Sequence, residues 1–241
     1  MISKDNITYA GLDSGAKIIE NPLILDNIEL TPSIELFLKY AEKGTPIIKL
    51  GEGNPCIAIT AGVHGDELPP QIAAIRLLEH LQGKKLKGTL YLVPITSPKA
   101  THANTRREGV LDLNRSSLIP HTLTNNILEL IKGSNIIALA DFHSTGPQTQ
   151  PGVESVFCSL KPNKESKKIA EYITTRMDSQ LIKYINAASL YKGALEDEVN
   201  KIGVPAITCE VLSTPGKISK GSIDRSFEQM ICFLEYFNLL Y

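Results

Sequence analysis

Through the middle of this chain, short and continuously apolar runs alternate with longer stretches whose apolar positions recur at helical spacing. CIAITA, NIIALA and VPAITCEV read as strands buried on both faces, since a strand with one wet face would alternate apolar and polar residues. Strands are expected over 46–50, 55–61, 88–94, 135–141, 153–159, 181–185 and 204–211. Helices are expected over 32–43, 67–82, 124–132, 163–179, 194–202 and 222–239. In the second of these, Ile72, Ile75, Leu78 and Leu81 keep a helical period, and Gly83 offers a C-terminal stop. Thr31-Pro32 ahead of Glu35 gives the first helix a cap.

Alternation of this kind predicts an α/β fold, a mostly parallel or mixed twisted sheet flanked by helices. No linker, repeat or low-complexity tract interrupts it, so residues 1–241 read as one domain, long enough to bury a large core. The richest loop, STGPQTQPG at 144–152, is short and reads as the border of a site.

Composition removes several function classes. The 25 basic and 26 acidic side chains leave a formal charge of −1, so no basic field draws in nucleic acid or an anionic membrane. Tryptophan is absent and aromatics are 6%, which argues against a base-stacking surface. The N-terminus lacks the apolar core of a signal peptide, and no run approaches the ~18 apolar residues that span a bilayer. Cys56, Cys158, Cys209 and Cys232 form no C-x-x-C pair and read as buried free thiols of a reducing compartment. A cytoplasmic protein is expected, with its oligomeric state open.

Candidate chemistry gathers where the buried runs end. GVHGDE follows CIAITA, a loop carrying NTRREGVLDLNR follows TLYLVP, DFHS follows NIIALA, and CEV closes the last run. In an open α/β sheet, ligands bind outside the carboxyl ends of the strands, so four segments deliver polar side chains to one rim. His64 and Glu67 lie three apart at a strand-to-helix turn between Gly62 and Gly65. An imidazole and a carboxylate so placed suit zinc in an open catalytic site, although the same pair alone reads as a surface histidine beside a helix cap. His143, at the end of a buried strand, reads either as a core histidine bonded to backbone or as a third ligand that leaves a position for water. Glu210 sits in an otherwise apolar strand, where a carboxylate must be paired or functional; beside an activated water it acts as general base. Arg106, Arg107 and Arg115 suit a substrate carboxylate and a developing oxyanion, although Arg106 and Arg107 also read as a solvated basic loop.

Taken together these segments resemble the zinc carboxypeptidase superfamily, and GVHGDELPP most resembles its aspartoacylase/succinylglutamate desuccinylase branch. The similarity spans about residues 47–215. It implies one Zn²⁺ per chain on His64, Glu67 and His143, catalysis by Glu210, and Asn114 and Arg115 holding a substrate carboxylate. It also implies that Asp112 orients His64 and that an upstream arginine polarises the scissile carbonyl. Gapless spacing puts that arginine at Arg107; a shift of one residue makes it Arg106. Aspartoacylase-like enzymes carry a further C-terminal β-rich domain, whereas this chain ends roughly thirty residues after Glu210. In that compactness it resembles the murein-peptide amidases of the superfamily.

The expected activity is hydrolysis of an amide bond in a small substrate with a free carboxylate, an N-acyl amino acid. The alternative is a metallocarboxypeptidase or amidase acting on short, cell-wall-derived peptides. A non-catalytic binding module is a third reading. A serine esterase at Ser144 lacks the G-x-S-x-G elbow.

Overall fold

The computed structural model describes residues 2–240. Eight strands form one sheet among them: β1 Ile7–Leu12, β2 Gly44–Gly51, β3 Cys56–Ala61, β4 Thr89–Val93, β5 Ala138–Thr145, β6 Ser155–Lys161, β7 Gln180–Asn186 and β8 Ala206–Leu212. The helices are α1 Pro22–Leu25, α2 Pro32–Ala41, α3 Leu68–His80, α4 Pro98–His102, α5 Leu123–Lys132, α6 Glu165–Thr174, α7 Leu195–Lys201 and α8 Ser222–Tyr236.

Spatial order across the sheet is β1-β2-β4-β3-β5-β8-β6-β7. The four central strands β4, β3, β5 and β8 run parallel, whereas β2 opposes β4 and β6 opposes β8. The sheet is therefore mixed, as the apolar runs predicted, with its parallel part covered on both sides. One face, bearing Ile57, Ile59, Ala140, Phe142 and Ile207, packs on α2, α3, α6 and α8. The other, bearing Ala58, Leu139 and Ala206, packs on α5 and α7. Strand pleating sends alternate residues to these two faces, which puts Asp141, His143, Thr208 and Glu210 on the α5/α7 side.

Connections after β3 and β5 leave in opposite directions. The chain passes from β3 through α3 to β4 on one flank, returns to β5 on the other, and moves outward to β6. A crevice opens where such connections diverge.

Several boundaries differ from expectation for local reasons. β5 starts three residues later than expected and continues through Asp141, His143 and Thr145, because these polar residues find partners there. α6 stops at Thr174, five residues short of the expected end, and α8 stops at Tyr236, three short. Thr31 does cap α2, its Oγ1 accepting from the Ile34 N–H at 3.4 Å, while α3 ends at His80 and Gly83 follows with a positive φ of 72°. β1 was not expected: it is an edge strand whose Tyr9-to-Gly11 irregularity breaks its alternation. The short α1 and α4 were not expected either.

Candidate metal centre

The turn from β3 to α3 is built for close packing. Gly62 has φ +70°, a region that favours glycine, and a Cβ on Gly65 would lie 2.1 Å from the carbonyl carbon of Ala100. Buried Gln71 ties the turn together, its Nε2 donating to the carbonyls of His64 (3.2 Å), Gly65 (3.2 Å) and Glu67 (3.0 Å). Gln71 is held in turn by Thr101, whose Oγ1 donates to Oε1 at 2.9 Å. Gly65→Ala must displace backbone rather than a flexible side chain. It is expected to destabilise the protein by about 1–3 kcal/mol and to weaken metal affinity, since His64 and Glu67 flank it. Thermal unfolding and metal titration check this; an unchanged variant would mean that the turn yields freely.

Within this frame Glu67 lies between two imidazoles. Its Oε1 is 2.8 Å from His64 Nδ1 and its Oε2 is 2.8 Å from His143 Nδ1. The backbone N–H of Ser144 also donates to Oε2, at 3.2 Å, and Arg106 Nη1 donates to Oε1 at 3.1 Å. Each imidazole meets a second carboxylate on its other side: His64 Nε2 lies 3.1 Å from Asp112, and His143 Nε2 lies 3.1 Å from Asp141. Asp141 is fixed by Thr60, which donates to it at 2.7 Å. All of these except Asp112 and Arg106 are buried.

Burial opposes a charge on His143, but the Asp141 and Glu67 carboxylates outweigh it and raise the imidazole well above its ordinary value. His64 behaves alike, burial being overcome by Glu67 and Asp112. Burial also opposes ionisation of Glu67, yet the two histidines hold its carboxyl well below the usual range. Asp112 is lowered chiefly by its hydrogen bond to His64.

These contacts fit a metal. If each Nε2–H donates outward to its carboxylate, the two Nδ1 lone pairs face the Glu67 oxygens at 2.8 Å, an arrangement that needs a proton or cation between them. The three candidate ligand atoms lie within 4.8 Å of one another, and two imidazoles with one carboxylate form a donor set suited to zinc.

A cavity of about 380 Å³ opens over this cluster. His64, Glu67, His143, Arg106, Asn114, Arg115 and Glu210 all line it, as do Ser144, Thr145, Thr149, Gln150 and Pro151 of the expected border loop. Glu210 is opposite His143 in the β5–β8 register. Its Oε2 is shielded from solvent without a hydrogen-bond partner among the described residues. Burial, reinforced by the Glu67 charge, pushes its carboxyl up to about 8. The two arginines separate clearly. Arg106 reaches the cavity, whereas Arg107 does not line it and instead binds Asp112 Oδ2 at 3.2 Å. Arg115 lies over the Tyr191 ring, 5.2 Å from its centroid.

Sequence reasoning left out Gln71, Thr60, Tyr184, Tyr191 and Glu196, the last three also lining the cavity. A glutamine amid the apolar positions of α3 was a legible signal. For Glu196 there was none, because acids opening a helix ordinarily serve its dipole.

Fold and cluster together define an α/β protein with a His–Glu–His centre at the carboxyl ends of a mixed sheet. The chain belongs to the succinylglutamate desuccinylase/aspartoacylase family, whose catalytic-domain model matches residues 54–235. Among solved structures it is similar to the product-bound ectoine utilization protein EutE (DoeB) of Ruegeria pomeroyi, with a TM-score of 0.67 and 18% identity over 83% of this chain and 64% of that one. A succinylglutamate desuccinylase/aspartoacylase of Rhodobacter sphaeroides gives 0.63 and 18%, over 84% and 62%. A candidate metallopeptidase of Shewanella denitrificans OS217 gives 0.62 and 15%, over 81% of this chain and 80% of that one. The chain therefore spans less than two thirds of the first two neighbours and four fifths of the third. No curated protein sequence matches it. No described helix is long and apolar enough to cross a membrane.

Proposed function

We propose that this chain is a zinc-dependent hydrolase of an amide bond in a small substrate bearing a free carboxylate, with residues 1–241 acting as one catalytic domain. The observation that carries the reading is the convergence of His64, Glu67 and His143 in one cavity with Glu210, whose Oε2 has no partner among the described residues. His64, Glu67 and His143 would hold zinc, which supplies a Lewis acid for the scissile carbonyl and acidifies water. Glu210 accepts the proton of the attacking water and returns it to the departing nitrogen. Arg106, anchored at Glu67 on the cavity wall, faces the oxyanion as charge develops. Asn114 and Arg115 hold the substrate carboxylate, Arg115 by a pair of parallel hydrogen bonds. Arg107 braces Asp112, and Asp112 fixes the His64 ring.

A cavity of this volume accommodates an N-acyl amino acid, the leading substrate class. The match to a compact candidate metallopeptidase over about four fifths of both chains favours short peptides as the second class. All four cysteines are free and buried, which suits the reducing cytoplasm. The test is metal analysis of protein purified without chelator, followed by a hydrolysis panel of N-acyl amino acids and short peptides. About one zinc per chain is expected, with hydrolysis abolished by a chelator and restored by zinc. Protein that neither carries nor takes up metal would replace this reading with a binding module.

A further inference from the structure

We infer that Glu196, backed by Asp197, sets the specificity of this cavity by receiving a primary ammonium at the end of a short methylene chain on the substrate. The inference rests on the hydrolase reading above and names the substrate's side chain. Glu196 opens α7 and lines the same cavity as the His–Glu–His cluster while only 3% exposed. Its Oε2 accepts from the Tyr184 hydroxyl at 2.6 Å and its Oε1 from the Asn200 amide at 2.5 Å. Both donors are neutral, and a carboxylate has about four acceptor positions, so capacity remains on each oxygen.

Asp197 is fully buried next to it in sequence; its Oδ1 accepts from the Ala188 N–H at 2.6 Å and lies 2.9 Å from the Tyr184 hydroxyl, whose single proton serves one of the two carboxyls at a time. Its second oxygen has no partner among the described residues. Neither acid forms an ion pair with any described Lys, Arg or His, whereas their neighbour Glu198 has Lys201 at 2.8 Å. Arg115 is the cation whose charge reaches Asp197, but its guanidinium lies over Tyr191. Two adjacent buried carboxyls without a cation are costly unless they stay protonated or a ligand brings the charge. Burial and the proximity of Asp197 do hold the Glu196 carboxyl well above its ordinary value in the absence of such a ligand.

The same cavity also has apolar lining. Phe157 and Tyr191 meet edge to face with centroids 6.1 Å apart, and Ala194, two residues before Glu196, also lines the cavity. Apolar walls ending in a carboxylate match methylenes ending in an ammonium. With Asn114 and Arg115 available for a carboxylate, the cavity suits an amino acid whose side chain is a short alkylammonium. Aspartate or glutamate side chains would meet like charge there.

Titration calorimetry of the zinc-loaded protein with free L-ornithine, L-lysine and L-norleucine tests this. All three carry the same α-ammonium and carboxylate, and norleucine is ornithine with its terminal ammonium replaced by methyl. Ornithine or lysine is expected to bind at least about tenfold more tightly than norleucine, and Glu196→Gln should erase that preference. Equal affinities, no binding of either diamino acid, or a preference that survives Glu196→Gln overturns the inference; the wild-type comparison stands even if the variant does not fold. Hydrolysis of the N-acetyl derivatives is read separately. Discrimination in binding without turnover of any N-acyl compound would count against the hydrolase reading alone, and turnover without discrimination against this inference alone.

Discussion

Glu210→Gln should bind zinc as the proposed wild-type site does and lose turnover by about 10²–10⁴, the range contributed by a positioned general base. Glutamine preserves the shape of the side chain but cannot accept the proton of the attacking water. Because Glu210 Oε2 has no partner among the described residues, the change removes no hydrogen bond from that oxygen, and the loss should fall on kcat rather than on folding. Stability supplies an independent check with a definite sign. In the metal-free protein the Glu210 carboxyl is raised to about 8 by burial and by Glu67. A carboxyl so raised ionises in the unfolded chain near pH 4.3 but resists ionisation in the fold, so it lowers stability progressively as pH rises from that value toward 8. Glutamine does not titrate. Metal-free Glu210→Gln should therefore melt close to wild type at pH 5 and above it at pH 8. A variant with full activity would remove Glu210 from the mechanism, and one that melts lower at pH 8 would show the carboxylate holding the fold together.

What the sequence could reveal depended on whether a residue's partners lie along one strand or come from elsewhere. β3 and β8 were legible because strands covered on both faces must be apolar throughout. His64, Glu67, His143 and Glu210 were legible because each follows or ends such a run, and the carboxyl ends of parallel strands share one edge. The extension of β5 through DFHST was not, since Asp141 and His143 are admissible inside a sheet only through Thr60 and Glu67, which lie far away in sequence. Choosing between Arg106 and Arg107 was equally out of reach. Their loop has no periodicity, and a one-residue difference in its path decides which side chain reaches Glu67 and which reaches Asp112. Glu196 lies at the extreme of this scale. Leu195-Glu-Asp-Glu reads as a solvated helix start, and only the packing of α7 against the α5/α7 face of the sheet buries it beside Tyr184.

Replacing His143 should produce the largest change in metal binding, and the residues behind it should give a graded series. Thr60, Asp141, His143 and Glu67 form one connected line, with contacts of 2.7, 3.1 and 2.8 Å. His143→Ala removes a proposed ligand and leaves Asp141 and Glu67 as buried carboxylates without their shared imidazole. Breaking a buried charged pair in this way costs about 3–5 kcal/mol, so the variant should lose stoichiometric zinc and melt well below wild type. Asp141→Asn keeps the ligand set and nearly all the volume, yet no longer holds the imidazole with a negative charge. Loss of such an outer partner lowers metal affinity about 10–100-fold, with a smaller effect expected for Thr60→Val, which acts one bond further out. Competition with a chelator of known zinc affinity would rank the three variants, and far-ultraviolet circular dichroism would confirm that Asp141→Asn and Thr60→Val remain folded. Zinc retained at wild-type affinity by folded His143→Ala would place the metal elsewhere. A full loss in His143→Ala with no change in Asp141→Asn would keep the site but show that the ring is positioned by packing alone.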